Sequence, residues 1–236
     1  KDISHPKIEA LFTIDEETGM TGALNLSNSI LTGNILLNLD TEEDDEICIG
    51  CAGGVDITMH REYKLVDPCE DEVFVRVLLN GLTGGHSGAE IHKGLGNSNK
   101  ILFEIIDGIN TIFQIKIVDI NGGGLRNAIP RESSLTLSFS KAHLDEFNDH
   151  IKKSSIQYSS KFVKTDPNFN LESENLEIIV PSLSYSDTVN LITSVNQCPN
   201  GVFEMSKSID NLVETSNNLA NIKLNEGKLK IQCLTR

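Results

Sequence analysis

The chain has 236 residues, enough for one large domain or for one domain and part of a second. Its formal charge of −14, without a basic patch, argues against nucleic acid as a partner. No apolar run approaches the roughly 20 residues that cross a bilayer, and the polar start does not resemble a secretory signal. The odd number of scattered cysteines, 5, favours a reducing compartment, so we expect a cytoplasmic protein.

The first 54 residues predict a parallel βαβ unit. Residues 8–14 form an apolar run typical of a strand, residues 21–29 predict a helix, and residues 35–39 predict the next strand. In parallel sheets, ligands gather at the carboxyl ends of the strands. Two acidic clusters, residues 15–17 and 40–43, follow these two strands directly. This edge is therefore the first candidate for a binding site.

From about residue 56 the pattern is that of a mixed α+β domain. Residues 72–79 alternate like a half-buried antiparallel strand, and a glycine-rich turn follows over residues 81–88. The predicted elements follow the order strand, helix, strand, strand in the first half of this region and again in the second half. This repeated order predicts a split βαβ (ferredoxin-like) layer used twice. The remaining predicted elements are helices over 97–107, 141–153 and 182–195, and strands over 113–119, 133–139, 176–180, 211–224 and 228–234.

Adjacent carboxylates mark the first acidic cluster. Glu16 and Glu17 point in different directions in any turn, so one can bind a metal while the other acts as a base. Asp40 could supply a further oxygen ligand. The alternative interpretation is that these are solvated turn or helix-capping residues.

Histidine and asparagine side chains mark the second half. His86 lies among glycines, where its imidazole could donate a hydrogen bond to an oxyanion or have no role. Asn127 either caps a turn or binds a substrate carbonyl, and capping is the better local interpretation. Cys48 and Cys51 form a C-x-x-C pair without a matching second pair, so we interpret them as half-buried strand residues rather than zinc ligands.

Seven segments carry a resemblance to known proteins: residues 11–19, 36–40, 50–54, 82–97, 125–132, 199–202 and 212–219. In this order they resemble the co-catalytic zinc aminopeptidase, carboxypeptidase and dipeptidase superfamily, and within it the cytosolic aminoacyl-histidine (Xaa-His) dipeptidases. The resemblance implies hydrolysis of dipeptides, carnosine-like ones in particular, by a homodimer with two zinc ions, for which cobalt or manganese could substitute. Residues 1–54 would be part of the catalytic domain and residues 55–236 the lid and dimerisation domain.

The resemblance also implies roles for single residues. Glu16 matches the general base, and His86 matches the lid histidine that stabilises the oxyanion. Asn127 matches a lid residue that contacts substrate. Arg236 matches an arginine that holds the substrate carboxylate, a task for which the guanidinium fork is suited. The implied zinc ligands are Glu17 and Asp40.

The pattern of the family is not complete in this sequence. A His-x-Asp motif and a metal-bridging Asp are expected before the Asp-Glu-Glu turn, and a last zinc-binding His is expected after Arg236. We therefore expect the chain as given to bind metal weakly and to be inactive, because two close metal ions need a bridging carboxylate. The alternatives are another peptidase or deacylase of the superfamily, or a catalytically dead lid and dimerisation module.

Overall fold

The computed structural model describes residues 3–16, 19–39 and 53–236. The chain forms two compact units, Lys1–Ala52 and Gly53–Arg236. Within these described ranges, no helix is long and apolar enough to cross a membrane. Cys69, Cys198 and Cys233 are free thiols.

The smaller unit has a single short helix, α1 (Thr21–Leu24), and no strand among its described residues. The strands predicted over residues 8–14 and 35–39 are therefore wrong there, and the helix predicted over residues 21–29 is reduced to one turn. A strand forms only where a neighbouring strand pairs with its N–H and C=O groups, and no described residue of this unit provides that pairing. Apolar side chains of the two predicted strands are exposed instead of buried in a sheet: Phe12 is 91% exposed and Leu39 is 86% exposed.

The larger unit confirms the predicted α+β architecture. The elements are β1 (Val55–Glu62), β2 (Glu72–Asn80), β3 (Gly85–His86), α2 (Ser98–Asn110), β4 (Lys116–Gly122), β5 (Ala128–Ile129), β6 (Ser133–Ser140), α3 (Leu144–Phe162), β7 (Asn170–Leu176), α4 (Tyr185–Gln197), β8 (Gly201–Met205), β9 (Val213–Asn225) and β10 (Lys228–Thr235). The strands form one antiparallel sheet in the order β1-β10-β9-β4-β6-β2-β7, with β8 paired to β9, while β3 and β5 form a separate two-stranded ladder.

The split βαβ layer was predicted twice, but the second use is wrong: α4 leads from β7 to β8, β9 and β10, and β9 is separated from β7 by β4, β6 and β2. The first half of this unit, β2 to β7, contains the layer once. Its chain order β2-α2-β4-β6-α3-β7 gives the spatial order β4-β6-β2-β7, so each helix crosses between strands that are not immediate neighbours. Helix α2 lies centrally in the core and contacts β2, β6, β9, α3 and α4. Its apolar face is fully buried, as Leu102, Ile106 and Ile109 show at 0% exposure. Burial of this face therefore holds α2 against the sheet.

A buried asparagine fastens the start of α2 to the sheet. The Oδ1 of Asn97 accepts a hydrogen bond from the N–H of Lys100 at 3.2 Å and so caps the helix. Its Nδ2 donates to the Oδ1 of Asn200 at 3.0 Å and to the carbonyl of Leu219, on β9, at 3.1 Å. Asn97 is only 5% exposed, so water cannot easily replace these bonds.

Asn97→Ala is expected to lower the free energy of unfolding by about 2 kcal/mol, because it removes a helix cap together with the buried side-chain hydrogen bonds to Asn200 and Leu219. Urea denaturation of the chain, followed by far-UV circular dichroism, measures the change. Asn170→Ala is the matched control: the Asn170 amide donates to the Oδ1 of Asn80 at 3.3 Å, but at an exposed position. Equal losses in the two variants would contradict the importance of burial at Asn97.

Candidate functional site

The residues between β2 and α2, which we call the histidine loop (residues 81–96), carry His86. Within the loop, β3 pairs with β5 so that Gly85 lies opposite Ile129 and His86 lies opposite Ala128. This two-residue ladder brings the histidine loop beside the segment that contains Asn127. The N–H of Ser87 donates to the carbonyl of Asn127 at 2.7 Å and extends the pairing by one bond.

The imidazole of His86 is oriented by the backbone that follows it. Its Nδ1 accepts hydrogen bonds from the N–H groups of Gly88, at 3.2 Å, and Ala89, at 3.1 Å. Because Nδ1 is the acceptor, the neutral ring carries its proton on Nε2. The side chain is exposed. His86 therefore presents an N–H donor on an accessible ring of fixed tautomer.

Glu90 holds the backbone of the histidine and was not singled out from the sequence. Its Oε2 accepts from the N–H of His86 at 2.8 Å, and its own N–H donates to the carbonyl of His86 at 2.9 Å. The pKa of the Glu90 carboxyl is lowered, first by the hydrogen bond from Lys93, at 2.9 Å, and then by the bond from His86. The charged carboxylate therefore persists at pH values below its usual range.

Buried amides hold the segment around Asn127. Asn218, on β9, donates its Nδ2 to the carbonyl of Ala128 at 2.8 Å and lies within 3.4 Å of the carbonyl of Arg126. Asn218 is 1% exposed, so this support comes from the core of the sheet. Asn127 itself is half-buried. The hydrogen bond that joins Asn127 to the ladder, from the N–H of Ser87, is made by the backbone carbonyl and not by the side chain.

Arg236 lies against the histidine loop. Its backbone pairs with Ser216, with N–H to carbonyl distances of 2.8 and 2.9 Å. A Cβ added to Gly88 would come within 2.7 Å of the guanidinium carbon of Arg236, so the guanidinium packs directly on this glycine. Among the described residues, no hydrogen-bond partner reaches the buried Nε of Arg236. The larger unit thus brings together His86, Asn127 and Arg236, three of the residues predicted for the site.

The other predicted site residues belong to the smaller unit. Glu16 is exposed in a turn in which the N–H groups of Gly19 and Met20 both donate to the carbonyl of Asp15. The predicted metal ligands Glu17 and Asp40 lie outside the described residues. The pair Cys48 and Cys51 lies outside them as well.

The described side chains do not by themselves form a metal site. No group of three or more His, Cys, Asp or Glu residues in the ranges 3–16, 19–39 and 53–236 could hold an ion. His86, in particular, has its Nδ1 occupied by two backbone donors, which suits hydrogen bonding rather than ligation through that atom. A metal centre therefore depends on residues other than those of the histidine loop.

Known proteins share this architecture. The family model described as "Peptidase dimerisation domain" matches residues 77–159, which run from β2 into α3. The cytosol non-specific dipeptidase of Escherichia coli (strain K12) is 35% identical over 238 residues, which cover 100% of this chain and 49% of that protein. The crystal structure of the aminoacylhistidine dipeptidase from Vibrio alginolyticus matches 94% of this chain and 46% of its own, with a TM-score of 0.81 and 35% identity.

The chain spans about half the length of these two relatives. The sequence match to the Escherichia coli protein covers the whole of this chain, and the structural match to the Vibrio alginolyticus protein covers 94% of it. The chain is therefore similar, along its sequence and in its fold, to about half of each of these two dipeptidases, and residues 77–159 match the peptidase dimerisation domain.

Proposed function

We propose that the full-length protein hydrolyses dipeptides at a two-zinc centre, with aminoacyl-histidine peptides such as β-alanyl-histidine among its substrates. The observation that supports this most is that the side chains of His86 and Arg236 both contact Gly88. A dipeptide carries its carboxylate on the residue directly after the scissile bond. A donor for the carbonyl oxygen and an anchor for the carboxylate must therefore lie close together, as these two side chains do.

Each proposed residue has one task. Glu16 takes a proton from the attacking water and passes it to the leaving amine. The Nε2–H of His86 donates to the oxygen that becomes negative in the tetrahedral intermediate. Arg236 pairs with the substrate carboxylate through its guanidinium group. Asn127 contacts the peptide from the neighbouring segment.

The proposed metal ligands are Glu17 and Asp40. Zinc is the proposed ion, with cobalt or manganese as substitutes, and it would supply Lewis acidity when bound. Residues 1–54 would belong to the catalytic domain and residues 55–236 to the lid and dimerisation domain. The match to a peptidase dimerisation domain supports a homodimer, and the name of the Escherichia coli relative supports a cytosolic location.

The test is hydrolysis by the full-length protein of β-alanyl-histidine, glycyl-leucine and the C-terminal amides of both. We expect cleavage of the acids that stops on chelation and returns with zinc. The amides should react with a kcat/KM about 10- to 100-fold lower, because they lack the carboxylate that Arg236 binds. A preference for β-alanyl-histidine over glycyl-leucine would support the histidine specificity. No cleavage by the zinc-loaded protein, or equal rates for acids and amides, would contradict the proposal.

A further inference from the structure

We propose that Asp166 is a positioning residue for the reaction: its buried carboxylate fastens both ends of the histidine loop and thereby holds His86 in place. This inference rests on the proposed function for its catalytic part. Asp166 lies in the turn between α3 and β7, far in sequence from every residue discussed above as part of the site. No motif around it suggests a role.

The carboxylate bridges the two sides of the loop. Its Oδ1 accepts from the N–H of Thr83 at 2.9 Å, before His86, and its Oδ2 accepts from the N–H of Gly96 at 3.0 Å, after it. Each oxygen therefore holds one end. Asp166 is 0% exposed, so the bridge is inaccessible to water.

The turn that carries Asp166 is itself fixed against the loop. The N–H of Asp166 donates to the carbonyl of Phe162 at 2.7 Å, at the end of α3. The hydroxyl of Thr83 donates to the carbonyl of Thr165 at 2.6 Å. At Gly81, where φ is +76°, an added Cβ would lie 1.9 Å from the carbonyl oxygen of Asn168. The backbone of the loop therefore rests directly on the turn.

Burial makes the bridge costly to break. A carboxylate without water is stable only while hydrogen-bond donors compensate for its lost hydration, and both side-chain bonds of Asp166 go to loop N–H groups. Movement of the loop would leave a buried charge unpaired. Asparagine cannot form the same bridge. Its side-chain oxygen can accept from one of the two N–H groups, but its NH2 group, itself a donor, would face the other N–H group.

The hydrogen bonds that hold His86 lie, along the chain, between the two residues that Asp166 bridges. Inside the span between Thr83 and Gly96, Glu90 holds the backbone of His86, and Gly88 and Ala89 hold its ring. The inner contacts set the shape of the loop, whereas Asp166 sets where that shape sits on the domain. Loss of the bridge should therefore misplace an intact histidine donor rather than remove it.

Asp166→Asn in the full-length protein is expected to lower kcat by about tenfold or more, while KM changes less than about threefold. The oxyanion that His86 stabilises exists only in the transition state and the intermediate, so displacement of the donor affects kcat. Thr188→Val is the matched control. It removes an acceptor that is equally buried, at 0% exposure, and that binds the N–H of Ile117 at 3.1 Å away from the loop. This control should lose stability but keep kcat.

A double-mutant cycle separates positioning from a general structural effect. If Asp166 acts through His86, adding Asp166→Asn to His86→Ala should change kcat by less than about twofold. The same factor in both backgrounds, or a wild-type kcat in the single variant, would overturn the proposal.

Two further measurements keep the proposal testable. If Asp166→Asn does not fold, Thr83→Val removes only the bond to Thr165 and should lower kcat by about threefold, again with no effect in the His86→Ala background. Amide hydrogen exchange tests the bridge without any activity. We expect Asp166→Asn, unlike Thr188→Val, to accelerate exchange at Thr83, Gly96, Gly88 and Ala89. Unchanged amide exchange rates in Asp166→Asn would refute the bridge. Failure of the wild-type protein to hydrolyse dipeptides would refute only the proposed function.

Discussion

Glu16→Gln in the full-length protein should lower kcat for dipeptide hydrolysis by about 10²- to 10⁴-fold, the range that a positioned general base contributes. Glutamine has nearly the same shape as glutamate, but its amide does not take up a proton at neutral pH. Because the proposal makes Glu16 a base and Glu17 a ligand, Glu16→Gln should keep its metal content, and Glu17→Gln should lose metal. Steady-state kinetics and elemental analysis of the same samples measure both quantities.

Glu9 provides the control for this experiment. It is another carboxylate of the smaller unit and accepts a hydrogen bond from the N–H of Thr32 at 2.7 Å. Glu9→Gln should leave kcat within about twofold of the wild type, since no role in the chemistry is proposed for it. If Glu16→Gln kept most of its activity, or lost its metal together with its activity, Glu16 would not be the base.

His86→Ala should lower kcat by about 10²- to 10³-fold with little change in KM, the effect expected when one donor to an oxyanion is removed. The Nε2–H of His86 would bind an oxygen that gains its charge only as the reaction proceeds, so binding of the ground state depends on it less. Kinetics on β-alanyl-histidine over a range of substrate concentrations separate the two constants.

His92→Ala is the matched control, because His92 is also exposed and lies in the short 3-10 helix of the same loop. It should retain the wild-type kcat. An equal loss in both variants would mean that the loop tolerates no substitution, and would remove the support for a specific role of His86.

Within the larger unit, helices were the elements that local sequence patterns predicted best. Apolar residues at helical spacing predicted a helix over residues 97–107, and α2 spans Ser98–Asn110. Strand positions followed less well. Residues 113–119 were predicted as a strand, but β4 is Lys116–Gly122, because Phe113 and Ile115 are buried in the core without taking part in the ladder. Apolar spacing reports burial and does not report where hydrogen-bond pairing begins.

Edge strands were missed or displaced for a related reason. β1 (Val55–Glu62) is exposed along its whole length, and β7 (Asn170–Leu176) is mostly polar, in place of the strand predicted over residues 176–180. Their pairing with β10 and β2 comes from strands distant in sequence, which no local window contains.

The residues of the candidate site also fall into those that the sequence predicted and one that it did not. His86, Asn127 and Arg236 could be named because they stand in recognisable segments, and the fold of the larger unit brings them together. Asp166 could not be named, because residues 164–170 resemble an ordinary connecting loop with Pro167. Its importance comes from bonds to Thr83 and Gly96, across long stretches of chain.

If the proposed function holds, the position of Arg236 at the end of the β10 ladder bears on how substrate choice and rate can evolve. Its backbone is held by Ser216 on β9, whereas His86 is held by a loop. In the proposed scheme, the site that binds the end of the peptide is thus part of the sheet, and the group that assists the reaction is part of a loop. Altered strand pairing would change which peptide lengths are accepted, and altered loop contacts would change the speed of cleavage. Selectivity and turnover could therefore evolve through separate sets of substitutions.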